Sequence, residues 1–173
     1  IIYWGIPAGY LILSFLYIVF IIQPVLFFHH VQPPFIASFE FFRPYLKYPG
    51  GPAELLANLI LQSFYFKISG PVVFFAIAFV VGLMMHFLME SVFKSRLNYI
   101  WAFIPTILTI ELNNNYNFPF SIVVSIAFLL LVLVIHTKLV KGLITSLLLY
   151  TFGAIAIYYF AGSGYLFLFS VTA

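Results

Sequence analysis

The chain contains no cysteine. That excludes a disulfide framework, thiolate metal sites and cysteine nucleophiles, and it leaves redox logic silent about the compartment. Charge is nearly as scarce: Asp, Glu, Lys and Arg make up 6% of 173 residues, with four carboxylates in all. Soluble domains carry about 25% charged residues, so a water-facing surface cannot be coated from this composition. The formal charge of +3 is scattered along the chain rather than clustered, which removes nucleic acid as a partner. The patterns GxSxG, HExxH, GxxxxGK[ST] and GxGxxG do not occur, so hydrolase, metalloprotease and nucleotide-driven readings have no residue support.

What the chain does have is apolar: 65% hydrophobic and 21% aromatic residues, with a mean hydropathy of +1.17. This is the composition of an all-α, polytopic membrane protein whose first partner is the lipid bilayer. A spanning helix needs about 20 mostly apolar residues. The spacing predicts five full spans, at about 1–28, 71–89, 93–112, 120–135 and 143–161, with residues 165–173 opening a sixth. The third reaches across only if it begins near Phe93, with Lys94 and Arg96 snorkelling to the headgroups. The runs lack the alternation that barrel strands show. No linker divides the chain, so residues 1–173 read as one transmembrane domain. It starts and stops inside apolar runs and reads as part of a longer protein.

Loop charges set the orientation. Residues 91–98 carry Lys94 and Arg96, and residues 136–142 carry Lys138 and Lys141, whereas 113–117 and 162–164 carry no Lys or Arg. Short basic loops stay in the cytoplasm, so the N-terminus is expected inside and residues 29–70 outside.

That first outer loop is broken by Pro33-Pro34, Pro44 and Pro49-Gly50-Gly51-Pro52. Beyond the last break, residues 52–66 have helical patterning. Pro52 suits the first turn, and Glu54 complements the helix start. Glu54, Asn58 and Gln62 form a polar stripe, with Leu55, Leu56, Leu59, Ile60 and Phe64 on the other faces. Such a helix, roughly 22 Å long, is too short to span. It is expected to lie along the outer interface or to re-enter as a packing element.

Few residues can carry chemistry. Glu40, Arg43 and Lys47 lie together in SFEFFRPYLKYPGG among Phe and Tyr side chains. A carboxylate beside two cations at a membrane surface can act as base while Arg and Lys hold a phosphate. The plainer reading is a local ion pair that folds the loop. Glu111, at the outer end of the third span, is a candidate for the same pocket. His86 and Glu90 share a helix face at the inner end of the second span, with His136 at similar depth. A hydrated helix end explains them better than a metal, and His29-His30 supplies two ligands without a third. No metal and no cofactor are expected.

The segment FEFFRPYLKYPGGPAELLANLILQSFYF, and in it Pro49, Gly50, Gly51, Glu54, Gln62 and Phe64, resembles an uncharacterised family of polytopic proteins from Bacteroidota. The resemblance implies a bacterial inner-membrane location. More loosely, one span followed by a long outer loop with a short helix and an acidic residue is similar to membrane-embedded glycosyltransferases that use lipid-linked sugars. That likeness implies Glu40, or in second place Glu54, as catalytic base. The favoured reading is a non-catalytic structural or partner-binding membrane subunit, its partners being other membrane subunits or the rest of the chain. The alternatives are the amino-terminal half of a transferase taking a polyprenyl-phosphate-linked donor, with Arg43, Lys47 and Glu111 at the substrate, and a transporter or channel component.

The orientation is directly testable because no native thiol competes. A single Cys placed at Ser95 is expected to resist an impermeant thiol reagent in intact cells; labelling there would reverse the whole topology.

Overall fold

A computed structural model describes residues 2–29, 35–93, 99–115, 117–140 and 142–173. Among these the regular elements are all helical, and helix accounts for 85% of the structure. In chain order they are α1 (Ile2–Tyr17), a π turn (Ile18–Ile22), α2 (Gln23–His29), α3 (Phe39–Tyr45) and α4 (Gly51–Leu61) with a 3₁₀ turn (Gln62–Tyr65). There follow α5 (Ser69–Phe93), α6 (Tyr99–Leu112), α7 (Phe120–Leu139), α8 (Leu143–Ala161) and α9 (Ser163–Thr172). Four stretches are long and apolar enough to cross a membrane: Pro7–Leu26, Ser69–Ser91, Phe120–Leu139 and Leu143–Ala161. The chain is a multi-pass membrane protein. α6 and α9 are shorter, at 14 and 10 residues. The expected snorkelling pair Lys94 and Arg96, with Lys141 and His30, lies outside the described residues.

The first span is one helical path with a widened turn in it. Pro24 has no N–H, and its ring crowds the carbonyl one turn back, which an α-helix cannot absorb without a kink. The π turn supplies the extra residue, and the Gln23 amide donates to the Ile18 carbonyl instead.

α5 and α7 form the centre and run parallel. Phe74 of α5 meets Phe120, the first residue of α7, at 6.4 Å between ring centroids. At the opposite end the Lys138 ammonium of α7 stands 4.5 Å over the Phe87 ring of α5. Phe64 closes the first cluster, edge-on to Phe74 at 6.0 Å and to Phe120 at 5.3 Å. All three rings are buried. A second cluster holds Leu129, Leu133, Ile157, Ala161 and Phe169 between α7, α8 and α9. Here Gly153 of α8 admits the Phe169 ring, since a Cβ at that position would stand 3.0 Å from Phe169 Cζ.

α4 lies along α7 and α8 rather than apart from them. Its buried stripe is Ala53, Ala57, Leu61 and Phe64, while Leu56 and Leu59 are exposed. Leu56 and Leu59 thus do not make the contact; Ala53 and Ala57 do, with Leu61 and Phe64 at the end of the stripe. Against lipid a leucine gains little by burial, whereas alanine lets backbones approach.

The loop and the last two helices meet through their turns. α8 and α9 form a hairpin that reverses at Gly162 (φ +99°), and α3 and α4 form one that reverses at Pro49-Gly50, with Gly50 at φ +92°. The Gly50 amide donates to the Tyr159 carbonyl at 3.0 Å, and the Tyr159 hydroxyl donates to the Leu46 carbonyl at 3.0 Å. A Cβ on Gly51 would overlap the Tyr45 carbonyl.

Substitution by alanine separates the causes. Gly162→Ala forces a positive φ with extended ψ on a residue with a Cβ, a region essentially reserved for glycine, and is expected to cost about 1–3 kcal/mol. Gly51→Ala also requires backbone movement and should lower the melting temperature in detergent further. Gly142→Ala, in open space on extended backbone, should leave it unchanged.

Candidate functional site

The outer-loop residues singled out in the sequence all lie on the α3–α4 hairpin or beside it. Ser38 starts α3, its hydroxyl accepting from the Phe41 amide at 3.2 Å, which replaces one missing helical acceptor. Pro44 removes the donor that the Glu40 carbonyl would have found one turn on, so α3 stays at seven residues. Phe35 packs on Phe41 and Phe42 at 5.7 and 5.5 Å. These rings turn the charged residues outward: Glu40, Arg43 and Lys47 are all exposed. Glu40 and Arg43, three apart, share a face of α3, and Lys47 lies in the turn after it. Among the described residues no ion pair joins Glu40 to Arg43, so the loop is not held by that pair.

What holds the hairpin is the polar stripe of α4. The Tyr48 hydroxyl donates to Glu54 Oε2 at 2.5 Å, Asn58 Nδ2 to the Tyr45 hydroxyl at 3.0 Å, and Gln62 Nε2 to the Phe35 carbonyl at 2.9 Å. These three rungs run in opposite order along the two limbs, as strands of a zipper would. The stripe was legible as a period of four; its partners were not, because tyrosine hydroxyls and a backbone carbonyl leave no pattern.

Glu111 lies in the last turn of α6, exposed, with the Tyr17 hydroxyl of α1 as its hydrogen-bond neighbour. No ion pair or hydrogen bond links it to Glu40, Arg43 or Lys47 among the described residues. It ends a polar column that the sequence reading missed. Tyr10 of α1 stacks on Phe103 of α6 at 4.1 Å and donates to the Phe103 carbonyl at 3.4 Å, with Ser14 and Thr106 beside its hydroxyl. Ser14, Thr106 and Thr109 are buried, and Asn113 Nδ2 donates to the Thr109 carbonyl at 2.8 Å. Tyr10, Ser14 and Tyr17 recur at helical spacing, as do Thr106, Thr109 and Asn113; that coincidence was the available signal. The column joins two parallel helices by hydrogen bonds, which apolar packing alone does not do in lipid.

At the opposite end, His136 is buried with its ring edge-on to Phe169 at 6.1 Å. Its Nε2 and His86 Nδ1 are enclosed without a hydrogen-bond partner. Among the described residues no three His, Cys, Asp or Glu side chains gather to hold a metal. The side chains of His29 and His30 lie outside the described residues.

The hairpin's stability should depend on pH at the alkaline end. Partial burial and the hydrogen bond to Glu54 push the Tyr48 hydroxyl up to about 12 from an ordinary value of 10.0. The folded state therefore favours the protonated phenol. Its contribution is full below pH 10, the unfolded value, and is lost as pH climbs toward about 12. Melting temperatures measured across this window should fall more steeply for the native chain than for Tyr48→Phe.

No curated protein and no solved structure matches the chain. A family match covers residues 1–173. On that match the chain belongs to the family of unknown function DUF6057.

Proposed function

We propose that this chain is a non-catalytic membrane subunit or domain, set in the inner membrane of a bacterium with its N-terminus in the cytoplasm. The Bacteroidota likeness of the first loop supports the location, and the basic loops 91–98 and 136–142 support the orientation. The chain crosses five times. Because α5 and α7 run parallel, the residues between them must return the chain from one end to the other, and α6 lies on that path. α9 begins a sixth crossing.

The α3–α4 hairpin re-enters from the outer face. Its far end, at Phe64, is level with Phe120, whereas its apex lies against the end of α8, where Phe160 stacks on Phe128 at 4.1 Å. Phe128 is two turns along α7 from Phe120, about 12 Å at the helical rise. The apex therefore stands inside the outer end of the bundle.

The observation that carries the scaffold reading is the use of the loop's polar groups. Tyr45, Tyr48, Glu54, Asn58 and Gln62 are spent on rungs within the hairpin, and the opposite stripe is spent on α7 and α8. The loop is built to fix two hairpins against each other and to present an outward face to a partner. A second reading has one observation in its favour. Glu40 and Arg43 stand exposed on one face of α3 with Lys47 exposed in the turn after it, where a polyprenyl-phosphate-linked sugar could meet an acid, a guanidinium and an ammonium.

A mutant cycle separates the two. Under the scaffold reading Glu40→Gln and Arg43→Gln should each change stability by less than about 0.5 kcal/mol and show no coupling, as exposed and unpaired charges do. Polyprenyl-phosphate binding should be the same in both variants as in the native chain. Loss of that binding in Arg43→Gln alone would overturn the scaffold reading in favour of the transferase.

A further inference from the structure

Where the first span ends, its widened turn leaves a recess. Gln23, Pro24 and Leu26 form one wall, Phe64 and Pro71 the other, and Lys67 stands at the rim; the volume is about 350 Å³. Small-molecule sites span about 300–1,000 Å³, so the recess is large enough for a headgroup and the start of a chain. It is also held open. Gln23 Nε2 donates to the Lys67 carbonyl at 3.3 Å, which ties the two walls across the gap. Leu26 and Phe64 close the floor, exposed by 1% and 2%.

We infer that this recess binds an anionic phospholipid of the outer leaflet, its phosphate on Lys67 and the first part of an acyl chain along the apolar walls. Three observations choose that occupant. Apart from Gln23 and the Tyr65 hydroxyl the walls are apolar, so a purely ionic ligand would leave most of them uncovered. The one charged group at the rim is a cation, which a phosphate complements through a charge-assisted hydrogen bond. The recess opens at the end of a spanning stretch, Pro7–Leu26, where lipid headgroups lie beside any helix of that length.

The π turn gives the site its shape. It delays the helix by one residue and sets the Gln23 side chain against the Lys67 carbonyl, beside the 3₁₀ turn; π turns inside helices are frequent at functional positions. Arg43 and Lys47 lie on the other limb of the loop and take no part. The inference is therefore independent of whether α3 carries chemistry, and each can fail without the other.

The test uses the full chain in phosphatidylcholine nanodiscs titrated with phosphatidylglycerol, reading melting temperature and the lipid retained in native mass spectrometry. Phosphatidylglycerol should raise the melting temperature and stay bound. Lys67→Gln should need roughly tenfold more of it, the usual consequence of losing one hydrogen bond to a charged group. Lys67→Arg should restore the native titration, and Lys138→Gln, the same charge change at the opposite end, should not alter it. If Lys67→Gln titrates like the native chain, the site is not where we place it. Equal protection by inorganic phosphate, or by phosphatidylcholine alone, would overturn the assignment to an anionic lipid.

Discussion

A helix that stops among apolar neighbours leaves its last carbonyls without donors, and in lipid water cannot supply them. At the end of α8 the chain solves this with two turns at once. The Gly162 amide donates to the Ile157 and Tyr158 carbonyls, and the next carbonyl, Tyr159, takes the Gly50 amide from the other hairpin. Tyr159 returns a bond through its hydroxyl to Leu46. Both reversals therefore depend on each other, and each uses a glycine at positive φ. If the two apices were separated, the Gly50 amide and the Tyr159 and Leu46 carbonyls would all need new partners.

That constraint sets the character of α4. To bring Gly50 to α8, the helix after it must lie close to α7, and only small side chains permit the approach. Ala53 and Ala57 meet this need, with Leu61 and Phe64 filling the space where the helices diverge. The other stripe, Glu54, Asn58 and Gln62, binds the incoming limb. Neither face is free to change alone. A larger residue at Ala57 would push α4 from α7 and carry the rungs with it.

Most of the helices were legible because apolar runs of spanning length leave few alternatives in a chain with so little charge. The short helix after Pro49-Gly50-Gly51 was legible too, through its proline, its first-turn acid and its period of four. Its packing face was not. Scales built on burial from water rank leucine above alanine, and in a bilayer that ranking loses its basis. The π turn in the first span was hidden because Gln23-Pro24 reads as an exit rather than as a reason to widen the helix before it. Glu40 and Arg43 lie on α3, Lys47 in the turn after it, and Glu111 at the end of α6. Their separation into an outward-facing group on α3 and a Tyr17 neighbour on α6 depends on tertiary contacts that spacing does not encode.

The polar groups of the chain fall into two kinds, and the division bears on function. Tyr10, Ser14, Thr106, Asn58, Gln62 and Glu54 form bonds between elements, so replacing one would loosen a joint. Glu40, Arg43, Lys47 and Lys67 are exposed. A charge at a membrane surface contributes little to folding. Its effect is on whatever approaches it. Three of the four are cations: Arg43 and Lys47 lie on the limb leading to the apex, and Lys67 lies beyond the far end of α4. The hairpin that carries Arg43 and Lys47 is held at both its apex and its rungs, so little ordering entropy would oppose a contact there.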